Sequence, residues 1–415
     1  MSNLTTSLDV RLFLSFGLLL IAARISGHLA GRCRQPVVLG ELLAGILLGP
    51  SVMGQFFPLQ EQMLFPSQGP LALVMKSFMT MAVALFLLIA GLEVNLSSVA
   101  RQGRAAFSIS FWGILFPFFL GVFSAAVSPG LWRAPQSNDP LIFALFLGTA
   151  LSISALPVIA RIMRDLNFYR SDFGMLIMSS AVITDLAGWL MFSVILGMMP
   201  QAGSPGAGFI QTLFFIFCFV VFLLSFGRWL VNRVLLWSQA HTQGPSEIIG
   251  FALGGCLLCS AATEFIGIHS LFGAFLFGVI LGESRHLHER TRSTLDGFVS
   301  FFFAPLFFAS IGLKINLIKD FDLKLAAVAV ILATAGKVLG CGWAAFKSGF
   351  SRNESLSIGF GMNARGAMEI ILGLLALQTH LINDRIFVAI VVMAIVTSAA
   401  SGSMMQFLMV KADKL

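Results

Sequence analysis

The sequence predicts an all-α polytopic membrane protein of about thirteen transmembrane helices, built as an inverted-topology repeat with two crossing discontinuous helices. Three observations predict it. Of 415 residues, 57% are hydrophobic and only 11% charged, where a soluble domain carries roughly 25% charged residues. The apolar residues fall in runs near the ~20 residues that a spanning helix needs. Two of those runs recur later in the chain, seven spans on. A soluble domain, a nucleic-acid binder and a disulfide-built secreted domain are excluded by this composition.

The runs are bounded by charged or turn-rich breaks. The first, 10–30, leads into Arg24, Gly31 and Arg32 without a small-residue cleavage site, so it reads as a span rather than a signal peptide. The second, 36–53, is short; 72–93 and 105–127 follow. The fifth, 140–163, holds Gly148-Thr-Ala-Leu-Ser-Ile-Ser-Ala-Leu-Pro157, and the sixth, 173–198, holds Asp185 within SSAVITDLAGWL. The seventh, 208–237, connects the repeats. The eighth, 247–266, contains Cys256 and Cys259 in an apolar run, where two cysteines read as small filler. The ninth, 268–283, is short. The tenth is 295–313. The eleventh, 323–346, carries Lys337, the twelfth, 355–378, carries Gly359-Phe-Gly-Met-Asn-Ala-Arg-Gly366, and the thirteenth is 384–409.

Alternate loops carry 17 and 7 Lys/Arg residues, and the remaining two of the 26, Lys337 and Arg365, fall inside spans. The richer side is expected to face the cytoplasm. That orientation puts the N-terminus outside and the C-terminus inside.

The repeat is read from two collinear matches. VLGELLAGILLGPS (38–51) matches LFGAFLFGVILGES (271–284), with Gly40, Gly45 and Gly49 on Gly273, Gly278 and Gly282. LFLLIAGLEVNL (85–96) matches LFFASIGLKINL (306–317) at six of twelve positions. An odd span offset inserts the copies in opposite directions, a construction common in secondary transporters. Spans five and twelve are the expected broken helices. Pro157 removes a backbone donor, and Ser152 and Ser154 can satisfy freed backbone groups. Three glycines, Asn363 and Arg365 within eight residues do not make a continuous lipid-facing helix.

The embedded charges are the candidate site. A carboxylate at mid-bilayer costs about 2.5–3.5 kcal/mol on insertion scales, so Asp185 is the first candidate. It can hold a proton or a small cation, and competition between the two, with alternating access, gives antiport without covalent chemistry. Thr184, Ser154, Ser152, Thr149 and Asn363 offer neutral oxygens. Lys337 is expected to pair with Asp185 and to release it when an ion arrives. Arg365 and Glu369, spaced i, i+4, are expected to pair and close the broken helix. Glu41, in the second span, either lines an ion entrance or snorkels; Glu264 is expected on a solvated face.

The chain resembles the monovalent cation:proton antiporter superfamily, on the cation:proton antiporter-2 branch. Gln35 to Pro50 (QPVVLGELLAGILLGP) resembles its early signature, as do Gly267 to Gly278 (GIHSLFGAFLFG) and Pro305 to Leu313 (PLFFASIGL). The resemblance implies a core domain, about 105–198 and 323–409, moving against dimerisation or scaffold helices, about 10–93 and 208–313, and a homodimer. Its ion site is an Asp-Asp or Asn-Asp pair on the sixth span. Asp185 matches the second member, the essential carboxylate, while Thr184 stands at the first and leaves it neutral. Lys337 matches the family's basic residue before the second break, and Arg365-Gly366 resembles its Arg-Gly pair.

The expected function is exchange of Na⁺ or K⁺ for H⁺ across the cell membrane, with Asp185 as the cation ligand. This makes the chain a transporter and not an enzyme, with no cofactor beyond the transported ions and no nucleic-acid partner. Two other classes share such folds: an organic-anion secondary transporter, which would want Arg or Lys clusters, and a non-transporting membrane subunit or sensor.

Overall fold

Helix ends are set by local chemistry that the chain repeats. Asp139 accepts from the Leu141 N–H at 2.8 Å and is followed by Pro140, whose missing N–H is no loss at a first turn. Asp322 accepts from the N–H groups of Lys324 and Leu325. Ser351 and Glu354 form a reciprocal capping box. His269 Nδ1 accepts from Leu271 N–H while the exposed Glu264 accepts from Ser270 N–H, so one helix start has two side-chain acceptors.

The structure, a computed structural model, describes residues 7–32, 35–94, 96–133, 139–166, 168, 171–198, 209–241, 246–266 and 269–412. Asn95, Gly267 and Ile268 of the matched segments, and Arg34, Arg170 and Lys414 among the counted cations, lie outside the described residues. In chain order the helices are α1 (Leu8–Arg32), α2 (Val37–Leu48), α3 (Met53–Phe56), α4 (Pro58–Leu64), α5 (Pro70–Glu93), α6 (Leu96–Val127), α7 (Pro129–Trp132), α8 (Pro140–Ser152), α9 (Leu156–Asp165), α10 (Asp172–Met198) and α11 (Phe209–Phe222). After a π-helical stretch at Leu223–Gly227 come α12 (Arg228–His241), α13 (Ser246–Phe265), α14 (Ser270–Glu283) and α15 (Glu289–Phe298). A second π-helical stretch, Val299–Phe303, precedes α16 (Ala304–Gly312), α17 (Leu317–Asp320), α18 (Leu323–Lys347), α19 (Arg352–Met362), α20 (Ala367–Gln378) and α21 (Asp384–Ala412).

Ten helical segments among the described residues are long and apolar enough to cross a membrane. The other three expected spans are occupied by α1, by the short α14, and by the pair α19 and α20 on either side of a break. The second π stretch has a local cause. Pro305 has no N–H to give the Phe301 carbonyl, so the helix shifts from i→i+4 toward i→i+5 bonding there.

The chain forms two compact units, Met1–Glu93 with Phe217–Asp320, and Val94–Ile216 with Phe321–Leu415. In the first unit, glycines let backbones meet. A methyl on Gly45 would run into the Ala309 carbonyl of α16, and one on Gly278 of α14 into the Leu88 carbonyl of α5. Gly40 meets Ser26 and Gly27 of α1, and Gly273 meets Cys259 of α13. Such close approach, giving dispersion contact rather than hydrophobic transfer, is what associates helices in lipid. In the second unit α18 lies against α6 in the same way, with Gly336 on Pro117 and Gly340 on Trp112. Ser110 of α6 donates to the Ser180 carbonyl of α10 at 3.0 Å, tying those two helices.

Candidate functional site: two helix breaks and a buried carboxylate

The second unit holds two interrupted helices. α8 stops at Ser152 and α9 starts at Leu156, so Ile153, Ser154 and Ala155 are non-helical, with Ile153 and Ala155 extended. Pro157 is the second residue of α9, and its missing N–H is the one that would have bonded Ile153. α19 stops at Met362 and α20 starts at Ala367, leaving Asn363–Gly366 non-helical. The two breaks are joined. Ala155 N–H donates to the Ala364 carbonyl at 2.9 Å, and Ser154 Oγ donates to the Met362 carbonyl at 2.7 Å.

Each break exposes a positive and a negative helix end. Asp185, on α10, is 3% exposed and takes the positive one. The Leu156 N–H, first in α9, donates to its Oδ2 at 3.3 Å. Arg365 takes the negative one. Its guanidinium donates to the Ala150 carbonyl at 2.9 Å and to the Leu151 carbonyl, both in the last turn of α8, and it pairs with Glu369. A buried guanidinium with three acceptors is a structural clamp.

Thr184 is adjacent to Asp185 and fully buried, with its hydroxyl donated to the Ala181 carbonyl at 2.9 Å. Its lone pairs are the part left for a cation. Asn363 donates Nδ2 to Thr334 Oγ1 at 3.1 Å, while its Oδ1 has no hydrogen bond among the described residues. Ser152 donates to the Gly148 and Ile114 carbonyls, and Thr149 to the Leu145 carbonyl. Lys337 is 0% exposed in mid-α18, within electrostatic reach of Asp185, Arg365, Glu369 and Cys341. Its Nζ makes no hydrogen bond among the described residues, so in this state it acts on Asp185 through space rather than as a bonded pair.

Sequence reading missed Ser398 of α21. Its Oγ accepts from the Arg365 N–H at 3.0 Å and donates to the Arg365 carbonyl, closing the second break from a third helix. The available signal was the cluster of small polar residues Thr397, Ser398 and Ser401 in an apolar helix, all buried. Thr334 as the partner of Asn363 had no such signal.

Residues 17–411 match the family model described as sodium/hydrogen exchanger, transmembrane. The Na⁺/H⁺ antiporter NhaS4 of Synechocystis is 32% identical over 379 residues, covering 91% of this chain and 92% of that protein. Cation/H⁺ antiporter 20 of Arabidopsis thaliana is 31% identical over 401 residues, covering 93% of this chain and 47% of that protein, so the chain spans about half the length of that relative. The sodium proton antiporter MjNhaP1 of Methanocaldococcus jannaschii has the same fold, with a TM-score of 0.71 over 97% of this chain and 99% of that one at 16% identity. With the fold, the breaks and the matched length together, the chain belongs to the sodium/hydrogen exchanger family.

Proposed function

We propose that the chain is a secondary active antiporter that exchanges a monovalent cation, Na⁺ or K⁺, for H⁺ by alternating access. The observation that carries this reading is Asp185, a carboxyl buried in a membrane-spanning helix and aimed at the first N–H of a half-helix. Proton and cation compete there: a protonated carboxyl cannot ligate a cation, and a ligated one holds no proton. Ser154, Thr184 and Asn363 are the neutral oxygens nearest in role. Lys337 compensates the carboxylate's charge when no cation is bound. Pro157, Arg365 and Glu369 keep the breaks open. Exchange needs no cofactor in this reading.

The relatives named as Na⁺/H⁺ and cation/H⁺ antiporters support the same substrate class. An organic-anion carrier would want a cluster of free embedded cations, and of the two embedded ones Arg365 is already committed to two carbonyls and Glu369, which leaves Lys337 alone. The division into core (105–198, 323–409) and dimerising scaffold (10–93, 208–313) is supported by the two compact units. The inverted repeat is supported by its matched glycines, since Gly40 and Gly273, and Gly45 and Gly278, each meet a neighbouring helix's backbone. Thirteen spans, a homodimer, an outside N-terminus and residence in the cell membrane complete the proposal. Asp185→Asn tests it: cation-driven proton movement in proteoliposomes is lost in that variant.

A further inference from the structure

Glu41 is a further embedded carboxyl, besides Asp185 and Glu369, and the exchange mechanism does not use it. It lies on α2, 3% exposed, between Leu39 and Leu42, both buried. Gly27 of α1 lies against it: a methyl on Gly27 would stand 3.3 Å from Glu41 Cγ. The helices packed on α2 are α1, α3 and α16. Neither α3 (MGQF) nor α16 (APLFFASIG) carries an ionisable side chain. On α1 the charged or titratable groups along this stretch are Arg24, His28 and Arg32; His28 is turned outward, and Arg24 is the group within electrostatic reach of Glu41. Among the described residues Glu41 makes no hydrogen bond and no ion pair. Arg24, one turn before Gly27, is occupied elsewhere, with its guanidinium carbon 5.1 Å from the ring centroid of Phe301 in the π-helical stretch.

We propose that Glu41 is a proton-binding site of the first unit, distinct from Asp185, and that Arg24 exchanges the Phe301 ring for Glu41 when the proton leaves. A carboxyl in apolar surroundings is tolerated as the neutral acid or as one member of an ion pair. The two states differ by one proton, released to water. The arrangement described, with Arg24 on an aromatic face and Glu41 unpaired, is that of the neutral acid. Such a two-state contact gives the protein a pH response that the transported cation does not address.

The test uses the full chain in proteoliposomes and an apolar carbodiimide, which reacts with neutral carboxyl groups in apolar surroundings; modified peptides are read by mass spectrometry. Glu41 is labelled at acidic pH and the label declines as pH rises. Saturating Na⁺ or K⁺ leaves it unchanged, as does Asp185→Asn. Phe301→Leu frees Arg24 and lowers labelling severalfold at a given pH. Label that the cation suppresses, or no label on Glu41 at any pH, overturns the proposal. This arm does not depend on exchange activity, so it reads out even if the antiport reading fails. In the second arm Glu41→Gln shifts the pH profile of exchange with the cation KM unchanged; an unaltered profile overturns the switch.

Discussion

Removing one oxygen atom from α21 should loosen the second helix break. Ser398→Ala deletes the group that accepts from the Arg365 N–H and donates to the Arg365 carbonyl. Both peptide groups are left in a buried region, where Ser398 is 5% and Arg365 1% exposed. An orphaned buried polar group costs about 1–3 kcal/mol. Two of them, partly relaxed, come to about 2–4 kcal/mol, or roughly 30- to 700-fold in the folding equilibrium at 1.4 kcal/mol per decade. The control is on the same helix. Ser401 is equally buried but donates only to the Thr397 carbonyl of its own helix, so Ser401→Ala should cost no more than about 1 kcal/mol. Reversible unfolding in mixed micelles measures both. Ser398→Ala should also raise the cation KM, because the clamp it supports sets the break's geometry, whereas Ser401→Ala should not. Equal stability of the two variants would refute the reasoning.

Three further outcomes are expected. Asp322→Ala removes an N-cap that accepts from two N–H groups of α18 and should destabilise the protein by about 0.5–2 kcal/mol in the same unfolding assay. Gly45→Ala forces α2 off α16 and should cost about 1–3 kcal/mol, read as a lower unfolding midpoint. Partial burial holds the Glu61 carboxyl above its ordinary value. The folded state therefore binds more protons than the unfolded one across that interval, and stability falls as pH rises through it. Glu61→Gln should flatten this fall in unfolding midpoints measured from acidic to neutral pH.

Scarcity of charge made much of the site legible in advance. Asp185, Lys337, Arg365 and Glu369 stand out in sequence because each is embedded in an apolar run, and all four are buried in one unit. The breaks were legible as Pro157 and as a crowd of Gly and Asn around Arg365, since those residues either lack a donor or do not favour helix. What composition could not show is which backbone groups the side chains would reach. Arg365 finds the Ala150 and Leu151 carbonyls some 214 residues away in sequence, and Ser398 finds Arg365 across 33. Lys337 stands out in sequence as a partner for Asp185; the structure puts the two within electrostatic reach, with no hydrogen bond to the ammonium among the described residues.

The most direct test of the central claim is proton movement driven by a Na⁺ or K⁺ gradient in proteoliposomes of the Asp185→Asn variant. Asparagine keeps the side chain's size and an oxygen for the Leu156 N–H, but it neither takes a proton nor carries charge. Loss of exchange for both cations, with unfolding stability close to that of the unsubstituted chain, is the predicted result; exchange at an unchanged rate would contradict the account.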